Sequence, residues 1–263
     1  MNEIFNLRRF RLYFVKTLLE KPFQIVGTFV LSFSVVILIY FLLKSIANFE
    51  LAQLFSFTVG LVGGGGLLAS LVFGYFTDTA SGSSYLTLPV SVFEKWLCAI
   101  LLVGILYVGC FLLYFRGLDA LFVHLYHTGL NPQDPRYLQQ YNRVYLFSYK
   151  SEGEDIFIFF ANAAAAMLVG SLYFNKVSFI KVSLVICGLY FFTFLLNYLI
   201  SSVLFKDLLR TFPFHEIAIK NGNEEGILVL PSGWRKCYDV MSTYLLPGIL
   251  LVVSYIRLKE KEV

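Results

Sequence analysis

The sequence predicts an all-α polytopic membrane protein, in which an amphipathic helix at the membrane surface precedes six transmembrane helices. Hydrophobic residues make up 58% of the chain and charged residues only 14%, whereas soluble domains carry about 25% charged residues. Six apolar runs approach the roughly 20 residues that a helix needs to cross a bilayer. The net charge of +4 is too small to indicate nucleic-acid binding. We therefore expect a single transmembrane domain over residues 1–263.

Residues 2–20 have the pattern of a helix that lies on a membrane. Apolar side chains recur at helical spacing on one side, and basic side chains occupy the other. The apolar positions are Ile4, Leu7, Phe10, Phe14 and Leu18, and the basic ones are Arg8, Arg9 and Lys16. A basic face opposite an aromatic and aliphatic face is typical of helices on anionic lipid. The alternative is a frayed basic tail that only sets the topology.

The six predicted spans follow in order, with two long polar segments between them. The spans cover about residues 23–43, 51–73, 93–114, 155–174, 177–205 and 241–255, and the polar segments cover about 116–154 and 206–239. The second span contains a glycine cluster at 60–66 without the Gly-Lys-Ser or Gly-Lys-Thr of a phosphate-binding loop. Small residues in a membrane helix favour close helix packing or a local kink instead.

The distribution of basic residues predicts the orientation. Five Lys and Arg residues precede the first span, whereas the first loop carries only Lys44. The positive-inside rule then places the N-terminus in the cytoplasm. Because six spans return the chain to its starting side, both termini are expected to be cytoplasmic, and the segments 116–154 and 206–239 are expected to face outward.

The polar break between the second and third spans, residues 74–95, contains a helix-start signal. Ser91 is followed three residues later by Glu94, the pattern of a capping box. Pro89 cannot extend a preceding helix, so the third span should begin sharply near Ser91. The break also offers Tyr85 and Leu86 as apolar surface. On these residues alone, an ordinary capped loop and a docking surface both remain open.

The same residues resemble a known family. Leu86-Thr87-Leu88-Pro89, then Ser91, then Glu94-Lys95 is similar to the Leu-x-Leu-Pro-x-Ser-x-x-Glu-Lys pattern of ABC-2 type transporter permeases. The resemblance implies a permease subunit of an ABC exporter in the bacterial cytoplasmic (inner) membrane, surrounded by membrane lipids. It implies no cofactor of its own, since ATP is bound by a separate ATP-binding cassette ATPase subunit. A second permease subunit is also expected, as a homodimer or heterodimer.

The resemblance further implies where the ATPase docks. The contact would involve residues on both sides of the proline, namely Tyr85, Leu86, Leu88, Pro89, Ser91, Glu94 and Lys95. Because the chain has no Walker lysine motif, we expect no catalytic residue in it and no enzyme activity of its own.

The sequence also bears on functions other than transport. His124 and His127 share a helix face, as metal ligands do, but no further ligand completes a set, which favours an interfacial or solvated pair and no metal site. A non-transporting membrane scaffold, acting through the outer segments 116–154 and 206–239, is the main alternative function. A membrane enzyme would need a convergent polar site, for which the sequence provides no motif.

Overall fold

Six helices of the computed structural model are long and apolar enough to cross a membrane, so the predicted all-α polytopic membrane protein is confirmed. The structure describes residues 5–20, 22–77, 88–150, 153–174, 177–205, 208–213, 216–221, 224–229 and 231–261. In that part of the chain the helices are α1 (Leu7–Glu20), α2 (Pro22–Ile46), α3 (Phe49–Val72), α4 (Val92–Thr128), α5 (Tyr137–Arg143), α6 (Glu154–Tyr173), α7 (Ser178–Leu204) and α8 (Ser232–Glu260).

Helix α1 packs on the bundle through its aromatic face. Tyr13 is buried, and Phe10 and Phe14 pack against the core. Leu7, placed on the same face by its spacing, is 73% exposed instead. The predicted helix over residues 2–20 is therefore present from Leu7 onward, and it is not a frayed tail.

Two helices extend beyond the predicted spans. Helix α4 continues past residue 114 to Thr128, and α8 begins at Ser232 rather than near 241. The polar side chains of Arg116 and Asp119 suggested the end of a span in the sequence. In the structure, however, Asp119 is completely buried and Phe122 lies on the same helix face as part of the core. The periodicity of buried residues thus continues through the polar positions.

Part of the second long polar segment forms a small β-sheet. Strands β1 (Leu208–Phe212), β2 (Glu216–Asn221) and β3 (Glu224–Val229) pair antiparallel in the order β1-β2-β3. This sheet was not predicted, although Asn221-Gly222 between two apolar stretches is a recognised hairpin signal.

Helices α3 and α6 form the centre of the bundle. In each of them, 50% of the most apolar 18-residue stretch is buried inside the protein. The corresponding stretch is only 6% buried in α7 and 11% buried in α8. Most of the α7 and α8 surface is therefore available to lipid or to another subunit.

The glycine cluster allows α3 to approach its neighbours closely. A methyl group at Gly60 would lie 2.5 Å from the Phe111 ring and from Val36, and one at Gly65 would lie 2.5 Å from the Phe160 ring. The backbone over Val59–Gly64 is also wound as a π-helix, which changes the direction of its carbonyl groups. The packing role predicted for the cluster is confirmed.

A hydrogen-bond chain uses this close approach to join three spans. The hydroxyl groups of Ser32 and Tyr107 are hydrogen-bonded to each other at 2.8 Å. Tyr107 Oη also donates to the Gly60 carbonyl at 2.6 Å. Because Tyr107 donates to the carbonyl, Ser32 must donate to Tyr107. These two hydroxyl groups and the Gly60 carbonyl are thus paired with one another inside the apolar bundle.

We expect Gly64→Ala to destabilise the protein by about 1–3 kcal/mol, as overpacking typically does. A methyl group there would collide with Ser32 Oγ and Tyr107 Oη. Gly63→Ala is the matched control, because its methyl group would meet only Val59, at 3.9 Å. Thermal unfolding in detergent micelles measures both variants. Equal melting temperatures would contradict the packing role of Gly64.

Candidate functional site at the start of α4

The N-terminus of α4 is capped as the sequence predicts. The Glu94 backbone N–H donates to Ser91 Oγ at 3.2 Å, and the Ser91 N–H donates to Glu94 Oε2 at 3.1 Å. Ser91 itself is extended, with φ −68° and ψ 153°. The capping box is therefore complete, and it fixes the residue at which the helix begins.

The Glu94 carboxylate also holds the N-terminal helix. Arg9 Nε donates to Oε2 at 2.7 Å, a second guanidinium nitrogen of Arg9 donates to Oε1 at 2.8 Å, and the Asn6 N–H donates to Oε1 at 2.7 Å. The Glu94 side chain is fully buried. Together with the bond from Ser91, each carboxylate oxygen accepts two hydrogen bonds. A bidentate, satisfied Arg–Glu pair of this kind is both strong and geometrically specific.

Asn6 adds a second cap at the same place. Its Oδ1 accepts from the backbone N–H groups of Arg8 and Arg9, at 3.0 and 3.3 Å. The first turn of α1 is thus oriented so that Arg9 faces Glu94. We use the name α1–α4 clamp for Asn6, Arg9, Ser91 and Glu94.

The predicted contact residues differ in exposure. Glu94 and Lys95 are buried, Leu88 and Ser91 are half-buried, and Pro89 is exposed. Tyr85 and Leu86 lie outside the described residues. Leu88 and the neighbouring Val90 pack partly on the core. Among the predicted contact residues that the structure describes, the accessible ones are therefore Leu88, Pro89 and Ser91.

A tight turn presents this surface. The Val90 N–H donates to the Leu88 carbonyl at 2.7 Å, which closes a three-residue turn around Pro89. Proline suits the central position because its ring holds φ near −65°, close to the value of an inverse γ-turn. The chain therefore projects Pro89 outward immediately before α4 begins.

A groove of about 910 Å³ runs between this turn and α1. Leu12 and Leu88 contribute apolar surface, and Arg8 and Lys16 contribute positive charge. Such a lining suits a segment that carries both apolar and acidic side chains.

Two further contacts connect the same end of the bundle. Trp96 Nε1 donates to the Leu251 carbonyl at 3.1 Å and to Ser254 Oγ at 2.9 Å, which joins α4 to the end of α8. The Tyr75 hydroxyl donates to Glu20 at 3.3 Å, which joins the residues after α3 to the end of α1. Burial, assisted by the Glu20 carboxylate, raises the pKa of Tyr75, so the phenol stays protonated as a donor. These links were missed from the sequence, because the partners lie far apart in the chain.

The opposite end of the bundle contains a buried polar network that sequence reasoning also missed. Asp119 accepts from Tyr40 Oη at 2.7 Å, from Gln53 Nε2 at 2.8 Å and from the Phe147 N–H at 2.8 Å. Gln53 Nε2 also donates to the Tyr145 carbonyl at 2.9 Å. The network therefore attaches the chain that follows α5 to α2, α3 and α4. A single carboxyl group in an apolar helix was the available signal.

Of the histidine pair, His127 makes structural contacts, whereas His124 is exposed. His127 Nε2 lies 3.0 Å from the Val144 carbonyl, and its ring stacks on Tyr141 at 4.0 Å. Across the described residues, no group of three or more His, Cys, Asp and Glu side chains is arranged to hold a metal ion.

Comparisons with family models, characterised proteins and solved structures give no match to this chain.

Proposed function

We propose that this protein is the membrane subunit of an ATP-binding cassette exporter, powered by a separate ATPase that docks on the break at residues 74–95. The observation that carries the proposal is the α1–α4 clamp. It joins the motif residues Ser91 and Glu94 to α1 through an ion pair whose carboxylate is fully buried, so that an exposed turn and two helices are held together.

The clamp provides a route for mechanical coupling. A partner that pushes on residues 88–91 acts directly on the first turn of α4, because the turn at residues 88–90 immediately precedes the capping residue Ser91. The Arg9–Glu94 pair passes the displacement to α1, and the Trp96 hydrogen bonds pass it to α8. Packed helices transmit such displacements as rigid bodies.

The proposal extends to assembly and orientation. Helices α7 and α8 expose most of their apolar surface, which supports a second permease subunit alongside lipid as the covering partner. In this arrangement the clamp end of the bundle, including both termini, faces the cytoplasm of a bacterial inner membrane. The α5 end and the β-sheet then face outward.

Co-purification with a co-expressed ATP-binding cassette ATPase tests the docking site. We expect Leu88→Asp to weaken the complex at least about tenfold, the typical loss for a central interface residue. Leu138→Asp is the matched control, because Leu138 is an exposed leucine on α5 at the other end of the bundle. A complex that both variants form as well as the unmodified protein would rule out docking at this turn.

A membrane scaffold that acts through its outer segments is the second candidate, and the β-sheet favours it. Strand β3 is an edge strand in the described sheet, and its residues Ile227, Leu228 and Val229 are about half exposed. Exposed apolar edges promote pairing with another chain. A scaffold would retain its partners in the Leu88→Asp variant and lose them when residues 224–229 carry charged substitutions.

A further inference from the structure

Two basic side chains lie against neighbouring aromatic rings where α6 ends. The guanidinium carbon of Arg257 is 4.6 Å from the centre of the Tyr173 ring. Lys181 Nζ is 5.3 Å from the centre of the Phe174 ring. Arg257 belongs to the last turn of α8 and Lys181 to the first turn of α7. Because Tyr173 and Phe174 are consecutive in the chain, positive charges from two helices converge at one end of the bundle.

Lys261 adds a third positive charge beside Arg257. It follows Arg257 by four residues, which places both side chains on one face at the end of α8. Burial, together with the positive charge of Arg257, lowers the pKa of Lys261, so the two cations are close enough to repel each other. A negatively charged group that contacts both side chains would relieve this repulsion. We use the name basic cluster for Lys181, Arg257 and Lys261.

One carboxylate offsets part of this charge. Arg257 donates to Glu260 Oε2 at 2.6 Å, and the Arg257 side chain remains 37% exposed. Lys181 is exposed and forms no ion pair with any residue that the structure describes. Within the described chain, three basic side chains thus share one carboxylate, and the basic cluster keeps a surplus of positive charge.

The rings beneath these cations belong to the apolar surface of the bundle. Tyr173 and Phe174 form one end of a mostly apolar cleft of about 580 Å³ between α6, α7 and α8. Next to Lys181, Ile180 is 55% exposed, and most of the α7 surface is likewise open to lipid. The basic cluster therefore lies where the lipid-facing surface ends, which is the level of the phosphate groups in a bilayer.

We infer that the basic cluster binds the headgroup of an anionic phospholipid, whose phosphate contacts the cations and whose acyl chain lies against the neighbouring apolar surface. Guanidinium and ammonium groups are the donors that bind phosphate in proteins, and basic pockets between transmembrane helices bind lipid headgroups. The charge identifies the headgroup, and the apolar rings beside it favour a lipid over a free phosphate ion. This inference goes beyond the proposed function, since such binding requires neither an ATPase nor transport.

Photolabelling of the full chain in phosphatidylcholine nanodiscs tests the site. The probes are a phosphatidylglycerol and a phosphatidylcholine with the same diazirine on one acyl chain. Both contain a phosphate, but only phosphatidylglycerol has a net negative charge. We expect phosphatidylglycerol to label the cleft-lining residues of α6 and α7 about 5- to 30-fold more than phosphatidylcholine, as a surplus of two positive charges predicts. Equal labelling by the two probes would overturn the proposal.

Charge-neutral variants locate the headgroup. Lys181→Gln and Arg257→Gln should each lower the labelling by phosphatidylglycerol about fivefold and leave that by phosphatidylcholine unchanged. Because Lys181 is exposed, its replacement does not disturb the core. Lys44→Gln is the matched control, since Lys44 Nζ also lies over aromatic rings, but at the opposite end of the bundle. A preference for phosphatidylglycerol that survives both substitutions in the basic cluster, or that falls equally in Lys44→Gln, would overturn the proposal.

Inorganic phosphate distinguishes a lipid from a soluble anion. Added in excess over the probe, it should have no more effect on the labelling by phosphatidylglycerol than potassium chloride at the same ionic strength. The reason is that a free phosphate ion gains nothing from the apolar surface beside the cations. Loss of the preference with phosphate alone would overturn lipid binding and assign the basic cluster to a soluble anion.

Discussion

Asp119→Ala is expected to lower the free energy of unfolding by about 3–5 kcal/mol, because it leaves several buried donors of a polar network unsatisfied. The substitution leaves three buried donors without an acceptor, those of Tyr40, Gln53 and Phe147. Each donor left unsatisfied costs about 1–3 kcal/mol. Chemical unfolding in detergent micelles measures the loss.

A second readout shows where the Asp119→Ala variant loosens. Because Asp119 holds the Phe147 backbone, the chain between α4 and α6 should be cut faster by a protease, while the bundle resists. Asp155→Ala is the control, since Asp155 is an exposed carboxylate in the first turn of α6 and contributes only about 0.3–1 kcal/mol there. If both alanine variants unfold alike, the network does not support the fold.

Glu94→Ala is expected to have the second large effect, because it removes the cap and the ion pair together. The loss should be about 2–4 kcal/mol, the sum of a lost cap and of lost hydrogen bonds to a charged group. Ser91→Ala removes only the acceptor of the cap and should cost about 1 kcal/mol. Arg9→Ala leaves the capping box intact and removes only the link to α1.

A spin label at Leu12→Cys separates these two roles of Glu94. Leu12 is exposed on α1, so in a protein whose four native cysteines are replaced by alanine the label reports the mobility of that helix. We expect increased mobility in Glu94→Ala and Arg9→Ala, and unchanged mobility in Ser91→Ala. A double-mutant cycle between Arg9 and Glu94 should give a coupling free energy of about 0.5–3 kcal/mol. A coupling of zero, with α1 equally mobile in all the proteins, would contradict the clamp.

Local patterns made much of this fold predictable. Apolar runs of membrane-spanning length identified the six spans, and the Ser91–Glu94 spacing identified the capping box. Both signals depend on residues close together in the chain. The contact between Arg9 and Glu94 joins residues 85 positions apart, so helical spacing alone could only assign Arg9 to a basic face.

The other differences from the sequence predictions have the same origin. From the sequence, the charge of Asp119 indicates the end of a span. The donors that allow this residue to be buried come from other helices and from the chain after α5. In the sequence, Asn162 lies in a run of small residues. Its role depends on the Ser242 carbonyl of α8, which accepts a hydrogen bond from the Asn162 amide nitrogen. In both cases a polar residue in an apolar helix acquires its meaning only from the tertiary structure.

Contact between an ATPase and residues 88–91 is tested most directly by cysteine crosslinking in the assembled membrane complex, with the four native cysteines replaced by alanine. The protein carrying Pro89→Cys should form a crosslink to the co-expressed ATP-binding cassette subunit, whereas Leu138→Cys, at the α5 end, should form none. Crosslinks at Leu138→Cys with none at Pro89→Cys would contradict the account and place the partner on the opposite end of the bundle.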